Sequence, residues 1–232
     1  MVVAFVQTLF LTVHLIDRYL QAKAVKRQKL QLVGVTAMLI ASKYEEIYAP
    51  EIRDFVYISD NAYTSREIVK FENTMLSTLD YRISTPSILS FLNRFIKIVG
   101  KEQKSTVALL ARYYVESMLQ EYSMLRYPAS IVAASSLALA RKTLGKKRPW
   151  VSSKLNTTSM LLIIAVIVMQ NENLRRLGQY TEQDLKPCMV EIADLMKPEN
   201  GSGKKSHLKA VKNKWSQESF SRVACFKLPI CS

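Results

Sequence analysis

Residues 26–43 contain a helix that can be stable only at the centre of a bundle. Three basic side chains open the segment, which is then apolar on nearly every face from Leu30 to Ile40. A helix that is apolar all round must be covered by neighbouring elements. A second segment of this kind, "PASIVAASSLALARK" at 128–142, is rich in alanine and other small residues. Two such helices predict two successive bundles and suggest an internal duplication.

The rest of the chain predicts further helices and no strand. An apolar stripe predicts a helix over 7–22, and Pro50 suits the first turn of a short helix that reaches Tyr57. Thr64 and Glu67 have the spacing of a capping box. The remaining predicted helices begin at the Thr85-Pro86 pair and near 104, 128 and 181. Only six glycines and seven prolines in 232 residues leave room for few turns, so we predict an all-α chain.

The charge and cysteine content exclude several classes of site. The formal net charge is +14, which could attract nucleic acid, an acidic membrane or an acidic protein. Eight of the cations lie in residues 197–232 against two glutamates, so we expect a basic, loosely ordered tail over 199–232 and no specific nucleic-acid partner. The three cysteines have neither metal-ligand spacing nor an even pairing. We expect no metal, no cofactor and no catalytic residue.

Two hydrophobic stretches, at 1–16 and 159–169, are candidate membrane segments. A spanning helix needs about 20 apolar residues, and both stretches are too short or interrupted by polar residues. The first also lacks the basic flank of a secretory signal. We expect a soluble, intracellular chain with no membrane partner.

One long stretch resembles a known family. "KLQLVGVTAMLIASKYEEIYAPEIRDFVYISDNAYTSREIVKFENTMLSTLDYRISTPSILSFLNRF" is similar to the cyclin box of A- and B-type mitotic cyclins, and "ASKYEE" with Tyr44 is closer to the B type. The likeness runs from about Thr8 to Trp150, resumes over 171–196, and has a weaker echo in "LKAVKNKWSQESFSRVA". It implies two five-helix cyclin folds in tandem, with no catalytic activity.

The resemblance also implies a domain organisation and a function. The first cyclin fold would occupy 1–84 and lack its first helix, and the second would occupy 85–198. A protein of this family binds and activates a cyclin-dependent protein kinase of the mitotic type, and thereby controls mitotic entry and cell-cycle progression. We expect such a chain in the nucleus and cytoplasm.

The resemblance assigns kinase-binding residues to the first fold. Lys43 and Glu72 correspond to the charged pair that holds the mobile regulatory helix of the kinase. Apolar contacts with that helix correspond to Ile40, Tyr44, Leu76, Tyr81 and Ile83. The alternative is that Lys43 and Glu72 form only an exposed salt bridge, which contributes about 0 to 1 kcal/mol.

The resemblance implies a second surface, which in the family recognises Arg-x-Leu segments in substrates or inhibitors. Arg27, Leu30 and Gln31 correspond to half of it. The other half, which includes a tryptophan, comes from the first helix of the family's fold, and "MVVAFVQ" does not match that helix. The alternative is that Leu30 is simply an apolar residue at the start of a helix.

The segment "VSSKLNTTSMLLIIAVIVMQ" at 151–170 interrupts family-like sequence on both sides. Its 20 residues keep the reading frame, valine codons begin with GT and glutamine can be encoded by CAG. We therefore hypothesise a retained intron; the alternative is a genuine insertion that packs as an extra helix or forms a partner surface.

Two alternative functions are consistent with parts of the sequence. A cyclin-fold transcription adaptor would hold nucleic acid with its basic face, but such adaptors lack the "SKYEE" and "KFENTML" pair that this sequence has. A truncated or mis-spliced product with impaired kinase activation is the other alternative.

Overall fold

The computed structural model describes residues 6–99, 102–144, 182–197 and 209–226. These residues form helices and turns with no strand among them, which confirms the all-α prediction. The hypothesised insertion at 151–170 lies outside the described residues. The chain divides into two compact units, Met1–Leu89 and Ser90–Ser232.

Each unit contains a series of α-helices and short 3-10 turns. In the first unit they are α1 (Val6–Ala22), a 3-10 turn (Arg27–Lys29), α2 (Leu30–Glu45), α3 (Ile52–Ile58) and α4 (Ser65–Thr78). Across and after the division they are α5 (Ile88–Ile98), α6 (Thr106–Met118), a 3-10 turn (Tyr122–Arg126), α7 (Ala129–Thr143), α8 (Glu182–Leu195), α9 (Ala210–Trp215), and two 3-10 turns (Glu218–Phe220 and Val223–Cys225). The described part of the first unit therefore has four α-helices, against five in the complete fold that the resemblance implies.

Helix α2 lies between two apolar clusters, as its all-round hydrophobicity predicts. On one side Ala37 and Ala41 lie in a buried cluster with residues of α1 and α4. On the other side Leu39 packs with Phe55 of α3 and Ile68 of α4. The small alanine side chains allow α1 and α4 to approach the α2 backbone closely. The sequence of α2 therefore determines how near its two neighbours can pack.

Helix starts follow their capping groups. The predicted capping box is confirmed, because the Thr64 hydroxyl accepts from the Glu67 amide and the Glu67 carboxylate accepts from the Thr64 amide at 2.8 Å. Helix α3 begins two residues after Pro50, because Glu51 and Asp54 form their own capping box. Helix α5 begins at Ile88, two residues after Pro86.

The turns after α3 and α4 are made without glycine. Asp80 and Tyr81 follow α4 with φ of 51° and 55°, in the left-handed region that non-glycine residues seldom adopt. The Tyr81 amide donates to the Leu76 carbonyl at 3.0 Å and the Asp80 amide to the Ser77 carbonyl at 3.3 Å. These are the two bonds of a Schellman motif. The same pair of bonds follows α3 at Asp60 and Asn61.

In the second unit α7 is the central helix. Its buried face consists largely of Ala and Ser, and α6 and α8 pack against it. The Ser135 hydroxyl donates to the Leu185 carbonyl of α8 at 3.4 Å, and the hydroxyls of Tyr114 and Thr143 lie 3.0 Å apart. Burial raises the pKa of the Cys188 thiol to about 11, so this cysteine stays protonated at neutral pH.

The range expected to be a loosely ordered tail contains a folded segment. Residues 209–226 form α9 and two turns that pack on α6, with Trp215 and Val223 buried. The Trp215 ring lies 6.3 Å from Tyr113 and 4.7 Å from Phe220, measured between centroids. The basic composition predicted a loosely ordered tail. The segment is folded because burial of the Trp215 ring stabilises it more than its exposed lysines destabilise it.

A buried carboxylate holds this segment in place. Glu116 of α6 accepts from the Lys214 ammonium at 2.9 Å with each oxygen and from the Trp215 indole nitrogen at 3.0 Å. The Glu116 side chain is 5% exposed, so these donors replace the water that a carboxylate at the surface would contact. Residues 209–226 therefore complete the second bundle rather than extend beyond it.

We expect Trp215→Ala to lower the free energy of unfolding of the second unit by about 3 to 5 kcal/mol, because it removes a buried aromatic ring and one donor to Glu116. Phe226→Ala is the matched control, since Phe226 is 42% exposed, and it should cost less than about 1 kcal/mol. Hydrogen exchange of the α6 amides reports the effect. Equal protection in the two variants would show that residues 209–226 are not part of the bundle.

Candidate functional site: the charged pair of the first unit

Helices α2 and α4 bring the predicted charged pair together. The Lys43 ammonium lies 2.8 Å from one Glu72 carboxylate oxygen and 3.0 Å from the other. Lys43 lies in the last turn of α2 and Glu72 lies in the middle of α4. Twenty-nine positions separate them in sequence, so only the packing of the two helices creates the pair.

Helical spacing explains why these two side chains meet. Ile40 and Met75 belong to the same buried cluster between α2 and α4. Lys43 follows Ile40 by three positions and Glu72 precedes Met75 by three, so each charge lies one turn from a core contact. The core contacts therefore fix the separation of the two charges.

The two partners differ in exposure. The Lys43 side chain is 46% exposed, whereas that of Glu72 is 11% exposed. No described residue other than Lys43 donates a side-chain hydrogen bond to the Glu72 carboxylate. A lysine can turn its ammonium into water if its partner is lost, but a buried carboxylate cannot. The pair is therefore an asymmetric one, in which Glu72 depends on Lys43 more than Lys43 depends on Glu72.

The apolar residues predicted to contact a partner fall into two groups. Tyr44, which directly follows Lys43, is 51% exposed, and Tyr81, in the turn after α4, is 67% exposed. Leu76 and Ile83 are partly buried against the α1–α2–α4 cluster, and Ile40 is only 3% exposed. Ile40 therefore supports this surface from beneath and presents almost no area of its own, which differs from the contact role that the resemblance implied.

Tyr81 owes its exposure to the turn that follows α4. The two consecutive left-handed residues end the helix and reverse the chain so that Ile83 returns to the cluster while Tyr81 points outward. Left-handed backbone is unfavourable by about 1 to 2 kcal/mol for a residue with a side chain. The position of Tyr81 is thus held by the Schellman bonds and the packing of Ile83, not by local preference.

Sequence reasoning missed two exposed residues in the loop that follows the last turn of α2. Ile47 and Tyr48, directly after α2, are each 91% exposed. The neighbouring Glu46 carboxylate accepts from the Thr8 hydroxyl at 2.8 Å, which ties the end of α2 to the start of α1. The sequence does contain an indication of them. Ile47 and Tyr48 lie in a short loop between Glu46 and Pro50, where no neighbouring residue in the chain can bury their side chains.

We use the name "charged-pair surface" for Lys43, Glu72, Tyr44, Tyr81, Ile47, Tyr48, Leu76 and Ile83. It combines one partly exposed cation and one nearly buried anion with exposed aromatic and aliphatic side chains. Aromatic residues around few charges are typical of protein–protein interfaces. The arrangement suits an amphipathic helix, whose apolar face would cover the rings while its polar edge meets the two charges.

The residues predicted to form half of a substrate-docking surface lie elsewhere in the first unit. Arg27, Leu30 and Gln31 are all exposed at the junction of the 3-10 turn and α2. The three lie within five positions of the chain, and Leu30 is 43% exposed at the start of its helix.

The described residues contain no group of three or more His, Cys, Asp or Glu side chains that could hold a metal ion. His14 of α1 is half-buried, and burial together with the nearby Arg18 lowers the pKa of its imidazole. No helix in the described ranges is long and apolar enough to cross a bilayer.

Comparison with known proteins gives two matched domains. Residues 5–84 match the family described as "Cyclin, N-terminal domain", and residues 86–229 match "Cyclin, C-terminal domain". The chain is 40% identical over 218 residues to the G2/mitotic-specific cyclin-B of Patella vulgata, an alignment that covers 94% of this chain and 47% of that protein.

A plant relative and a solved structure are similar as well. Cyclin-A2-1 of Arabidopsis thaliana is 37% identical over 226 residues, which is 96% of this chain and 46% of that protein. The chain thus spans about half the length of the curated relatives it matches. The crystal structure of a viral cyclin from herpesvirus saimiri superposes with a TM-score of 0.58 at 17% identity, over 80% of this chain and 76% of that one, and shows the shared fold.

The unequal exposure of the pair predicts unequal effects of mutation. Lys43→Met should lower the free energy of unfolding by about 1 to 3 kcal/mol, because it leaves the Glu72 carboxylate without a charged donor. Glu72→Gln should cost less than about 1 kcal/mol, because the freed Lys43 ammonium reaches water. Urea unfolding of the three proteins measures both. Equal losses, or a larger loss for Glu72→Gln, would contradict the asymmetry.

Proposed function

The chain belongs to the cyclin family, and we propose that it is the regulatory subunit of a cyclin-dependent protein kinase. In this proposal it has no catalytic activity of its own. It binds the kinase through the charged-pair surface and switches it on. The observation that carries the proposal is the pairing of Lys43 with Glu72 in a unit that also exposes the rings of Tyr44 and Tyr81.

The mechanism follows from the division between charge and apolar area. The exposed rings bury surface against the regulatory helix of the kinase, which provides most of the binding free energy. Lys43 and Glu72 supply one donor and one acceptor, which fix the orientation of that helix. Held inward, the helix places its glutamate against the ATP-binding lysine of the kinase and helps to free the activation loop.

We further propose that the kinase is of the mitotic type and that the complex controls mitotic entry. The support is the similarity to both B-type and A-type cyclins, together with "ASKYEE" and its Tyr44, which favour the B type. We expect the chain in the nucleus and cytoplasm, where a fluorescent fusion would reveal it. Extracts of synchronised cells test the timing: kinase activity bound to the chain should peak at mitosis, and a peak in interphase would refute the mitotic assignment.

Alanine substitutions test the charged-pair surface. Lys43→Ala and Glu72→Ala should each weaken kinase binding by about 2 to 5 kcal/mol, and the double variant should not activate the kinase, because an interfacial charge left unpaired is costly. Arg53→Ala is the control: the Arg53–Glu51 pair is equally short at 2.9 Å but 78% and 65% exposed. Arg53→Ala should change binding by less than about 0.5 kcal/mol.

The measurement is titration of a recombinant kinase with each purified variant, with circular dichroism as the check that the helices are intact. A folded double variant that activates the kinase at the wild-type concentration would refute the assignment of the surface. A transcription adaptor makes the opposite prediction: the chain would ignore the kinase and keep a preferred duplex sequence at about 0.15 M salt, where non-specific phosphate contacts are weakened.

We also propose that residues 151–170 are translated from a retained intron. The support is the GT and CAG codon possibilities at the two ends, and a composition that is Ser/Thr-rich and then β-branched with no proline, typical of aggregation-prone segments. Deletion of 151–170 should raise the soluble yield and leave kinase binding unchanged. The hypothesis is wrong if the deletion lowers either one, or if native transcripts and peptides contain the segment as the dominant form.

A further inference from the structure

One side-chain hydrogen bond joins α1 to the turn that follows α4. The Arg18 guanidinium of α1 donates to the backbone carbonyl of Arg82. Sixty-four positions separate the two residues in sequence, so only the packing of α1 against α4 brings them together. Arg82 lies between the exposed Tyr81 and the partly buried Ile83. The bond therefore acts on the backbone next to one of the predicted kinase contacts.

Arg18 extends from a well-packed part of α1. Leu15, one turn before it, and Tyr19, directly after it, are both buried in the cluster that contains Met75 of α4. The Tyr19 ring also meets the Phe71 ring of α4 edge-on, with 5.5 Å between the centroids. These core contacts fix the turn of α1 that carries Arg18 against α4. The base of the Arg18 side chain therefore has little freedom to move relative to the end of α4.

The turn after α4 needs contacts from elsewhere in the fold. Asp80 and Tyr81 have left-handed backbone, which residues with a side chain seldom adopt, and such backbone persists only where the surroundings hold it. The Schellman bonds hold the start of the turn, and the packing of Ile83 holds its end. Among the described residues, Arg18 is the only one that donates a side-chain hydrogen bond to residues 80–83.

The Arg18 bond is transmitted to Tyr81 through a single peptide group. The Arg82 carbonyl and the Ile83 amide belong to the same planar peptide unit. The carbonyl accepts from Arg18, and the Ile83 amide at the other side of the plane donates to the Tyr81 carbonyl at 3.1 Å. Apolar packing of the Ile83 side chain does not determine how this plane is rotated, whereas a directional hydrogen bond to its carbonyl does. Arg18 therefore orients the group that holds the Tyr81 backbone.

We propose that Arg18 is a positioning residue for kinase binding, which keeps Tyr81 in the orientation that the regulatory helix of the kinase contacts. The inference rests on the proposed function, because Tyr81 belongs to the charged-pair surface. Arg18 forms no ion pair with another described residue, so its charge is not used to hold a carboxylate of the bundle. A turn that is already in its bound arrangement loses less conformational entropy when the partner binds.

Removal of the Arg18 donors tests the proposal in the full chain. Arg18→Met keeps a long, helix-favouring side chain but cannot bond the Arg82 carbonyl. In titrations of a recombinant kinase, the concentration of Arg18→Met for half-maximal activation should rise by about threefold to tenfold, because fewer free molecules hold the competent turn. The kinase rate at saturation should stay the same, since binding restores that turn. Arg53→Met is the control that loses the same charge from an exposed side chain, and it should change neither value by more than about twofold.

A double-mutant cycle separates positioning from general stabilisation. If Arg18 acts through Tyr81, adding Arg18→Met to Tyr81→Ala should change the half-maximal concentration by less than about twofold relative to Tyr81→Ala alone. A role that is independent of Tyr81 would instead multiply the two losses. Hydrogen exchange without the kinase gives a second measurement: the Tyr81 and Ile83 amides should exchange at least about fivefold faster in Arg18→Met, whereas the amides in the middle of α2 should not change.

Three results would overturn the proposal: an unchanged half-maximal concentration for Arg18→Met, multiplied losses in the cycle, or unchanged exchange of the Tyr81 and Ile83 amides. The same titrations show whether the proposed function fails as well. If Tyr81→Ala weakens activation and Arg18→Met does not, only the role of Arg18 is refuted. If Tyr81→Ala has no effect, the assignment of Tyr81 to the charged-pair surface is wrong and the role of Arg18 in binding is refuted with it.

Discussion

The burial of α2 on two sides is the constraint on which the first unit depends. A helix with apolar residues on nearly every face is stable only when other helices cover it, and here α1 and α4 cover one side while α3 and α4 cover the other. Its last turn and its first turn are the parts that remain exposed. The charged-pair surface lies at the C-terminal end, and Arg27, Leu30 and Gln31 lie exposed at the N-terminal end.

The two ends differ in how their charges are balanced. At the C-terminal end Lys43 pairs with Glu72, whose side chain is nearly buried. The pair therefore belongs to the packing between α2 and α4 and is also the proposed contact for a partner. At the N-terminal end the cations of the 3-10 turn meet no described carboxylate. A paired charge fixes orientation in an interface, whereas unpaired surface charge attracts a ligand of opposite sign.

Much of the architecture could be predicted from the chain alone. The all-round hydrophobicity of α2, the Thr64–Glu67 capping box and the small residues of α7 each specify local structure through helical periodicity or local hydrogen bonds. The resemblance also predicts that Lys43 and Glu72 act as a pair. Turns and the C-terminal segment were harder to predict, because Asp80 and Tyr81 adopt left-handed backbone without glycine and Trp215 directly follows a lysine-rich stretch.

The sequence by itself determined the helical class, the two central helices and the residue types available at each surface. Tertiary structure decided exposure and pairing: Ile40 lies beneath the charged-pair surface, Ile47 and Tyr48 lie in the open, and Glu116 draws Lys214 and Trp215 onto α6 from 98 and 99 positions away. Periodicity reports only which side chains share a face of one helix. Packing between residues that are distant in the chain decides which faces of two helices lie against each other. A local sequence pattern does not contain that information.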